Sequence, residues 1–468
     1  MLDLFTQIVS DDKLHPKFKI FKECLFLTGE QNILNDWIDG FIDRDNKIVK
    51  EFQTTFHSAF WEFYLFSVFK EAGFEIDFNH NRPDFIIKAP QKMYIEAVVS
   101  NIKSTGSQEE NRTLDDILSM VEPINLQQNF DYNIREAIAR YSNSIQSKDK
   151  KYEDYINDNK LKFDKEAPYI IALSGYEQIN YGKNFYYPMM ALLYGIYYDN
   201  INDKYTKRNS IIKPDTEDKD IPIGLFLDDS KSHISAIIFS CTVTLGKVTS
   251  LAISQNKSKL KTNSVLCIRH DTEPPHFKTQ IVSPSSPEYL SDGLFIFHNP
   301  FARNPLNKEL FEKTNTVHIS LDIENGIKIF ESNNLPIVSR LNLFAGETIF
   351  RNSIFKIYEN LNFDLVFVFA KVLNVDSYEK NNHEVEFLDL DDNIEFTIGF
   401  TTERFEEYQI EKDKKFIFIF NLNNDKEKLI PKTSEQLELF KKMNKIKCLF
   451  LDGGHIIKIE PMQYILFM

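Results

Sequence analysis

Apolar residues are densest between positions 52 and 72, where they occur on almost every side of a helical projection. A helix without a polar face belongs in a protein core rather than at a surface. Gly73 favours a helix end, because glycine readily takes the left-handed conformation that closes many helices. The pattern therefore predicts a buried helix over residues 52–72.

Short apolar runs that are typical of strands follow this helix. FEIDF covers residues 74–78, RPDFII covers 82–87 and YIEAVV covers 94–99. A segment at 128–148 is typical of a helix, and PYIIALS at 168–174 is again typical of a strand. The predicted order is one helix, three strands, one helix and one strand, which indicates an α/β fold.

The second and third runs each carry one carboxylate where a buried strand would normally be apolar. The turn-prone segment 89–91 lies between them, and a hairpin centred on Pro90 places Asp84 directly opposite Glu96. Opposed side chains in an antiparallel pair are roughly 5 Å apart at Cβ, so two like charges there destabilise the pair. A divalent cation such as Mg²⁺ or Mn²⁺ is a suitable counter-ion, because these cations bind carboxylate oxygens.

Glu62 is a further carboxylate, in the middle of the predicted buried helix. An unpaired buried carboxylate costs several kcal/mol unless it becomes neutral. Two interpretations remain open. Glu62 either lies at the rim or in a structural ion pair, or it is a third acidic ligand of the same metal.

This order of elements, with its two acidic residues, resembles the PD-(D/E)XK superfamily of restriction-endonuclease-like nucleases. Pro83-Asp84 is similar to the PD half of the family motif, and Glu96 is similar to its second acidic residue. The resemblance covers roughly residues 50–200 and implies a restriction-endonuclease-like αβββαβ core, a mixed sheet flanked by helices. The family lysine falls at Val98, so the chain departs from the motif there.

The resemblance implies a Mg²⁺- or Mn²⁺-dependent nuclease that hydrolyses phosphodiester bonds, in DNA rather than RNA by analogy alone. Asp84, Glu96 and the backbone carbonyl of Ala97 would hold the metal, with Glu62 as a further candidate ligand. A water activated by the metal would attack the phosphate. The same analogy suggests a role in bacterial defence against foreign DNA.

The residues offer other cations that could replace the missing lysine. The hairpin register places Arg82 opposite the lysine position, so Arg82 is the first choice. Its guanidinium stays protonated and would act only electrostatically. Lys148 in the following helix is the second choice, and Arg135, Arg140 and Lys151 of that helix are further sources of positive charge.

Composition limits the class of protein. The 468 residues carry a net charge of −14, which argues against tight non-specific binding of nucleic acid but allows a local basic groove. The four cysteines are far apart and form no CxxC pair, which indicates reduced thiols without a zinc knuckle. There is no secretory signal pattern and no apolar run of ~20 residues. These features predict a cytoplasmic protein with no membrane partner.

Polar breaks divide the chain into a helical brace (1–50), a nuclease domain with insertions (51–315) and a mainly β accessory domain (316–468). The last part carries no catalytic motif, so the binding of a protein partner or of a second copy through it remains open. Two alternatives to a nuclease also remain open. One is a catalytically inactive nuclease-like fold that serves as a binding or assembly module, and the other is an unrelated α/β enzyme.

Overall fold

A computed structural model gives the fold of the chain, which divides into two compact units. The structure describes residues 2–23, 27–102, 111, 113, 116, 124, 127, 129–158, 161–176, 183–258, 264–271, 277–324, 327–343, 365–378, 382–389, 393–407, 410–421, 449–452 and 455–458. The first unit comprises Met1–Lys19, Ile33–Asn256 and Ser264–Leu343. The second unit comprises Ile20–Asn32, Lys257–Asn263 and Phe344–Met468.

The described residues form both helices and strands, and the helices flank a mixed sheet, which confirms the α/β class. The helices are α1 (Pro16–Glu23), α2 (Thr28–Ile38), α3 (Ile48–Thr54), α4 (His57–Ala72), α5 (Phe130–Asn157), α6 (Tyr187–Tyr194), α7 (Leu245–Ser254) and α8 (Thr402–Glu407). The strands up to residue 281 are β1 (Glu75–Asp77), β2 (Phe85–Ala89), β3 (Met93–Asn101), β4 (Tyr169–Tyr176), β5 (Ile196–Asp199), β6 (Lys204–Lys207), β7 (Ser210–Ile212), β8 (Asp220–Pro222), β9 (Ile234–Ser240), β10 (Ser264–His270) and β11 (Phe277–Ile281). The later strands are β12 (Phe295–His298), β13 (Val317–Asp322), β14 (Ile327–Glu331), β15 (Ile337–Leu343), β16 (Leu365–Tyr378), β17 (Asn382–Asp389), β18 (Glu395–Thr401), β19 (Lys415–Asn421), β20 (Leu449–Asp452) and β21 (His455–Lys458). None of the helices described here is long and apolar enough to cross a membrane.

An eight-stranded mixed sheet forms the centre of the first unit, in the order β1-β2-β3-β4-β9-β12-β13-β14. The first three strands are antiparallel neighbours, and β3, β4 and β9 run parallel. On the other side, β12 is antiparallel to β9 and parallel to β13, and β14 is antiparallel to β13. The predicted mixed sheet with flanking helices is therefore present.

The helix predicted over residues 52–72 is interrupted. Helix α3 ends at Thr54 and α4 begins at His57, because Phe56 between them has a φ of 32°, which a right-handed helix cannot continue. Most residues of α4 are buried, as the apolar pattern predicts. Gly73 closes the helix with a φ of 82°, and its N–H donates to two carbonyls of the last turn. Residues 57–72 are thus the buried core helix.

Helices α4 and α5 cover opposite faces of the hairpin formed by β2 and β3. Successive side chains of a strand point to opposite faces. Phe85 packs against Phe69 of α4, with ring centroids 5.2 Å apart, whereas Ile86 belongs to the buried apolar cluster that includes α5. Alternation along β3 places Glu96 on the α5 face, and Asp84 precedes β2 on the same face.

The central sheet continues past residue 315, where the sequence had suggested a domain boundary. Strand β13 pairs with β12, and β15 pairs with β10, so the first unit extends to Leu343. In the second unit, strands of the described residues form an antiparallel sheet in the order β18-β17-β16-β19. The last segment of the first unit thus ends at Leu343, and two earlier segments, Ile20–Asn32 and Lys257–Asn263, also belong to the second unit.

A buried ion cluster lies within the first unit. The Glu288 carboxylate accepts hydrogen bonds from Lys247 Nζ at 2.6 Å and from Arg340 Nε at 3.0 Å. The side chains of Glu288 and Lys247 are 0% exposed. Burial opposes ionisation of Glu288, but Arg340 and Lys247 outweigh it and lower the pKa of Glu288 to about 2. Glu288 therefore stays charged and joins α7 to β15.

Glu288→Ala is expected to destabilise the protein by about 3–5 kcal/mol, because it leaves Lys247 and Arg340 as buried charges without the carboxylate that both contact. Urea-induced unfolding of the variant and the wild type measures this loss. Glu331→Ala is the matched control, since Glu331 is 45% exposed in its pair with Lys308 and such pairs contribute about 1 kcal/mol or less. Equal losses in the two variants would contradict a structural role of the buried cluster.

Candidate functional site

The hairpin of β2 and β3 has the predicted register. Phe85 lies opposite Ile95, and Ile87 lies opposite Met93. Each pair is equally distant along the chain from Pro90, so the turn is centred as the sequence predicts. This register brings the two acidic positions to the same end of the hairpin.

Asp84 lies one residue outside the ladder, because β2 begins at Phe85. Its Oδ2 accepts a hydrogen bond from the backbone N–H of Ala97 at 2.8 Å. The carboxylate thus takes the place of a backbone acceptor at the end of the ladder. Glu96, the residue before Ala97, is 0% exposed. The Asp84 carboxylate is consequently held next to the strand residue that follows Glu96.

Lys148 of α5 joins the two carboxylates. Its Nζ lies 3.1 Å from Asp84 Oδ2 and 2.5 Å from Glu96 Oε2. Lys151 Nζ lies 2.9 Å from Glu96 Oε2, and the Tyr155 hydroxyl donates to Glu96 Oε1. The structure therefore brings together three of the predicted site residues, Asp84, Glu96 and Lys148. It also brings in Lys151, one of the further candidate cations, and adds Tyr155.

The register of α5 directs Lys148 toward the sheet. Ile145, Tyr152 and Tyr155 are buried on this helix, and residues three or four positions apart share one helix face. Lys148 falls on that buried face, where its backbone carbonyl accepts a hydrogen bond from the Tyr169 hydroxyl at 2.7 Å. Sequence reasoning did not identify Tyr155, although its spacing of seven residues from Lys148 is a usable signal.

The two carboxylates differ in their electrostatic surroundings. Burial and the neighbouring Glu96 raise the pKa of Asp84. Burial also opposes ionisation of Glu96, but Lys148 and Lys151 outweigh it and lower the pKa of Glu96 below its usual range. The pKa of Lys148 is raised, because Asp84 and Glu96 together outweigh the effect of burial. Glu96 is therefore a carboxylate and Lys148 an ammonium at neutral pH.

Glu62 lies on α4 and is partly buried. No hydrogen bond or ion pair joins it to another residue in the described part of the chain. Burial raises the pKa of Glu62 to about 8, and the nearby charges of Asp84 and Glu51 act in the same direction. Glu62 is consequently protonated in the folded protein at neutral pH.

The stability of the metal-free protein should depend on pH through Glu62. Below pH 4.5 this group is protonated in both states, whereas between pH 4.5 and 8 it ionises only in the unfolded chain. Unfolding then releases a proton, so the wild type should lose stability relative to Glu62→Gln as the pH rises. Urea unfolding in EDTA at pH 4, 6 and 8 measures the difference. A constant difference across this range would contradict the raised pKa.

The other predicted cations lie elsewhere. Arg82 is exposed and precedes the ladder, and within the described structure it forms no hydrogen bond or ion pair with Asp84 or Glu96. Arg135 pairs with Asp131, and Arg140 pairs with Glu136, each at 2.9 Å on their own helix. The cations that contact the acidic pair are thus Lys148 and Lys151.

The acidic pair has the donor chemistry of a site for a hard divalent cation, because carboxylate oxygens are the preferred ligands. Among the residues that the structure describes, no group of three or more His, Cys, Asp or Glu side chains is arranged to hold a metal ion. Glu62 therefore does not complete the predicted three-carboxylate set. At Ala97, the observed contact comes from the backbone N–H rather than the carbonyl. A cation would bind by competing with Lys148.

No family model, curated protein or solved structure matches the chain.

Proposed function

We propose that the chain is a metal-dependent nuclease that hydrolyses phosphodiester bonds, with DNA as the expected substrate. The observation that carries the proposal is the convergence of Asp84, Glu96 and Lys148. In the described part of the chain they lie along the elements α4-β1-β2-β3-α5-β4, an order that supports the resemblance to an αβββαβ core. Two acidic residues and one lysine are the side chains that the PD-(D/E)XK motif provides. The preference for DNA over RNA rests on the resemblance alone.

Lys148 is the candidate replacement for the family lysine. It comes from α5 rather than from β3, where Val98 occupies the motif position and packs against the apolar cluster. In the metal-free protein, Asp84 and Glu96 outweigh the effect of burial and raise the pKa of Lys148, so it is an ammonium at neutral pH. Its role would be electrostatic, as a donor to phosphate oxygens whose charge increases in the transition state.

Asp84 and Glu96 would hold the divalent cation, Mg²⁺ or Mn²⁺. When bound, the cation would lower the pKa of a water and offset charge on the leaving oxygen. The N–H and C=O of one strand residue point toward the same neighbouring strand, so the Ala97 carbonyl faces the side from which Asp84 approaches. Ala97 therefore remains a candidate ligand, whereas Glu62 would need to ionise and reorient.

The charges of the site favour binding of metal and nucleic acid together. Asp84 and Glu96 contribute two negative charges, and Lys148 and Lys151 contribute two positive charges in contact with them. A divalent cation alone would leave an excess of positive charge, which a phosphodiester reduces. The two lysines, once displaced from the carboxylates, are close enough along α5 to contact the same phosphate group.

Cleavage assays test this proposal directly. Purified protein is incubated with supercoiled plasmid, linear DNA and RNA in Mg²⁺, in Mn²⁺ and in EDTA. We expect cleavage of DNA with either metal and none in EDTA. A lack of cleavage of every substrate in both metals would overturn the proposal.

The second candidate is a catalytically inactive binding or assembly module. The observation that favours it is that both carboxylate oxygens of Glu96 already accept hydrogen bonds, from Lys148, Lys151 and Tyr155. Such a cluster is stable without metal. The two candidates differ in thermal unfolding, because a ligand that binds only the folded state raises the midpoint. A nuclease predicts a rise with Mn²⁺ that depends on Asp84, whereas the module predicts no rise.

A role in defence against foreign DNA, with a protein partner or a second copy bound through the C-terminal part, is a further proposal that rests on the resemblance. Expression of the chain in a bacterial host would then lower the plating efficiency of a DNA phage. Asp84→Asn should restore plating. Equal plating with and without the chain would contradict this role.

A further inference from the structure

The backbone at Asp84 is not held by the sheet. Strand β1 ends at Asp77 and β2 begins at Phe85, so residues 78–84 make no ladder pairs. The Asp84 carboxylate nevertheless stays within hydrogen-bonding distance of both Ala97 and Lys148. Contacts outside the strand ladder must therefore fix this loop.

Arg44, in the connection between α2 and α3, supplies such contacts. One terminal nitrogen donates to the carbonyl of His80 at 2.5 Å and to that of Pro83 at 3.3 Å. The other donates to the carbonyl of Asp84 at 2.8 Å. The donors of a guanidinium are fixed in one plane, so three carbonyls bound to one group are held in a defined arrangement. Arg44 thus holds the backbone of the residue that carries the carboxylate.

The connection that carries Arg44 is itself anchored. The Asp43 carboxylate accepts bonds from the N–H groups of Lys47 and Ile48, each at 3.2 Å, at the start of α3. The N–H of Phe41 donates to the carbonyl of Ile38 at 2.8 Å, where the chain leaves α2. Both ends of the connection are consequently bonded, and Arg44 extends from a fixed backbone.

We propose that Arg44 is a positioning residue for the acidic pair. It holds Asp84 at the end of β2, so that the carboxylate faces Ala97, Glu96 and Lys148. The inference rests on the proposed function, because the pair is positioned for a divalent cation. Arg44 bonds to backbone carbonyls and acts through Asp84. Through these bonds, a residue that precedes α3 contributes to the site.

Arg44→Ala in the full-length chain tests this role through metal dependence. The Mn²⁺ concentration for half-maximal cleavage, and for half-maximal thermal stabilisation, should rise roughly 10–100-fold, as when an outer-shell partner of a metal ligand is removed. The rate at saturating Mn²⁺ should fall less. Arg44→Lys keeps the charge but not the planar guanidinium, so its half-maximal Mn²⁺ concentration should lie between those of the wild type and Arg44→Ala. Lys47→Ala removes a positive charge from the same connection and should change neither value, since Lys47 is 64% exposed and pairs with Asp45.

A second readout needs neither metal nor activity. The Ala97 N–H donates to Asp84 Oδ2 at 2.8 Å, so its amide resonance reports the position of that carboxylate. In metal-free protein labelled with ¹⁵N-alanine, Arg44→Ala should move this resonance toward its position in Asp84→Ala. Lys47→Ala should leave the resonance at the wild-type position.

These readouts separate the possible outcomes. An unmoved Ala97 resonance in Arg44→Ala would overturn the inference even if cleavage falls, because the loss would then come from general destabilisation. If Arg44→Ala does not fold, the Ala97 resonance is measured in Arg44→Lys instead, and an unmoved resonance there would likewise overturn the inference. If the wild type neither cleaves nucleic acid nor gains stability from Mn²⁺, the proposed function fails. The Ala97 resonance then still determines whether Arg44 positions Asp84.

Discussion

Asp84→Asn is expected to lower the rate of metal-dependent cleavage by on the order of 10³-fold or more, while the fold persists. Asparagine has nearly the same shape, and its side-chain oxygen can still accept the Ala97 N–H bond, which is 2.8 Å long in the wild type. It has no negative charge for a cation. Burial and Glu96 both raise the pKa of Asp84, so the substitution also removes an unfavourable charge from the metal-free protein. Thermal stability without metal should therefore be unchanged or slightly higher.

The measurement for Asp84→Asn combines plasmid cleavage with thermal unfolding at increasing Mn²⁺. Asp413→Asn is the matched control, since it removes the carboxylate of a lysine pair at a position that is 66% exposed. The control should retain the wild-type response to Mn²⁺. If Asp84→Asn gains the same stability from Mn²⁺ as the wild type, the metal binds elsewhere. Asp84 and Glu96 would then have only a structural role.

The hairpin shows how far local reasoning extends. Its turn and alternating pattern fix the register, and the observed pairs Phe85–Ile95 and Ile87–Met93 confirm it. The position of Asp84 beyond the end of β2 was not predicted. Proline has no N–H to donate to a ladder, so Pro83 before Asp84 favours an early end of pairing. Asp84 then bonds through its side chain instead.

The cation at the site was only partly predictable. The hairpin register favours Arg82 only if β2 begins at or before Arg82. The observed strand begins later, at Phe85. The predicted end of the following helix at residue 148 also falls short of the observed end at Asn157. In the longer helix, Lys148 lies on the same face as Tyr141, Ile145 and Tyr152. A lysine on an otherwise buried face is a sign of a partner in the core.

Long-range features could not be derived from local patterns. The pairing of β13 with β12 is parallel and depends on the whole central sheet, so a change of texture near residue 316 suggested a boundary that the sheet crosses. The contact of Arg44 with residues 80–84 likewise joins segments about 40 residues apart. An arginine in a polar connection carries no local sign of this role.

Lys148→Ala is expected to slow cleavage by about 10²–10³-fold, as loss of a donor to a developing oxyanion does, while it tightens metal binding. The ammonium lies within hydrogen-bonding distance of both Asp84 and Glu96, so it competes with a cation for the same oxygens. Without metal, the two carboxylates would lose their shared counter-ion and the variant should unfold at a lower temperature. Mn²⁺ should raise the unfolding temperature of the variant at a lower concentration than is needed to raise that of the wild type.

The opposite changes in rate and metal affinity distinguish a catalytic lysine from a structural one, since a structural loss would not tighten metal binding. Lys151→Ala removes the same group from the same helix, but Lys151 is 37% exposed and contacts only Glu96 of the pair. Its effect on the rate should be smaller, about tenfold or less. Arg82→Ala should cleave at close to the wild-type rate, because Arg82 is exposed and outside the ladder. If Arg82→Ala is instead as slow as Lys148→Ala, the guanidinium acts on the substrate and the two cations share the role of the family lysine.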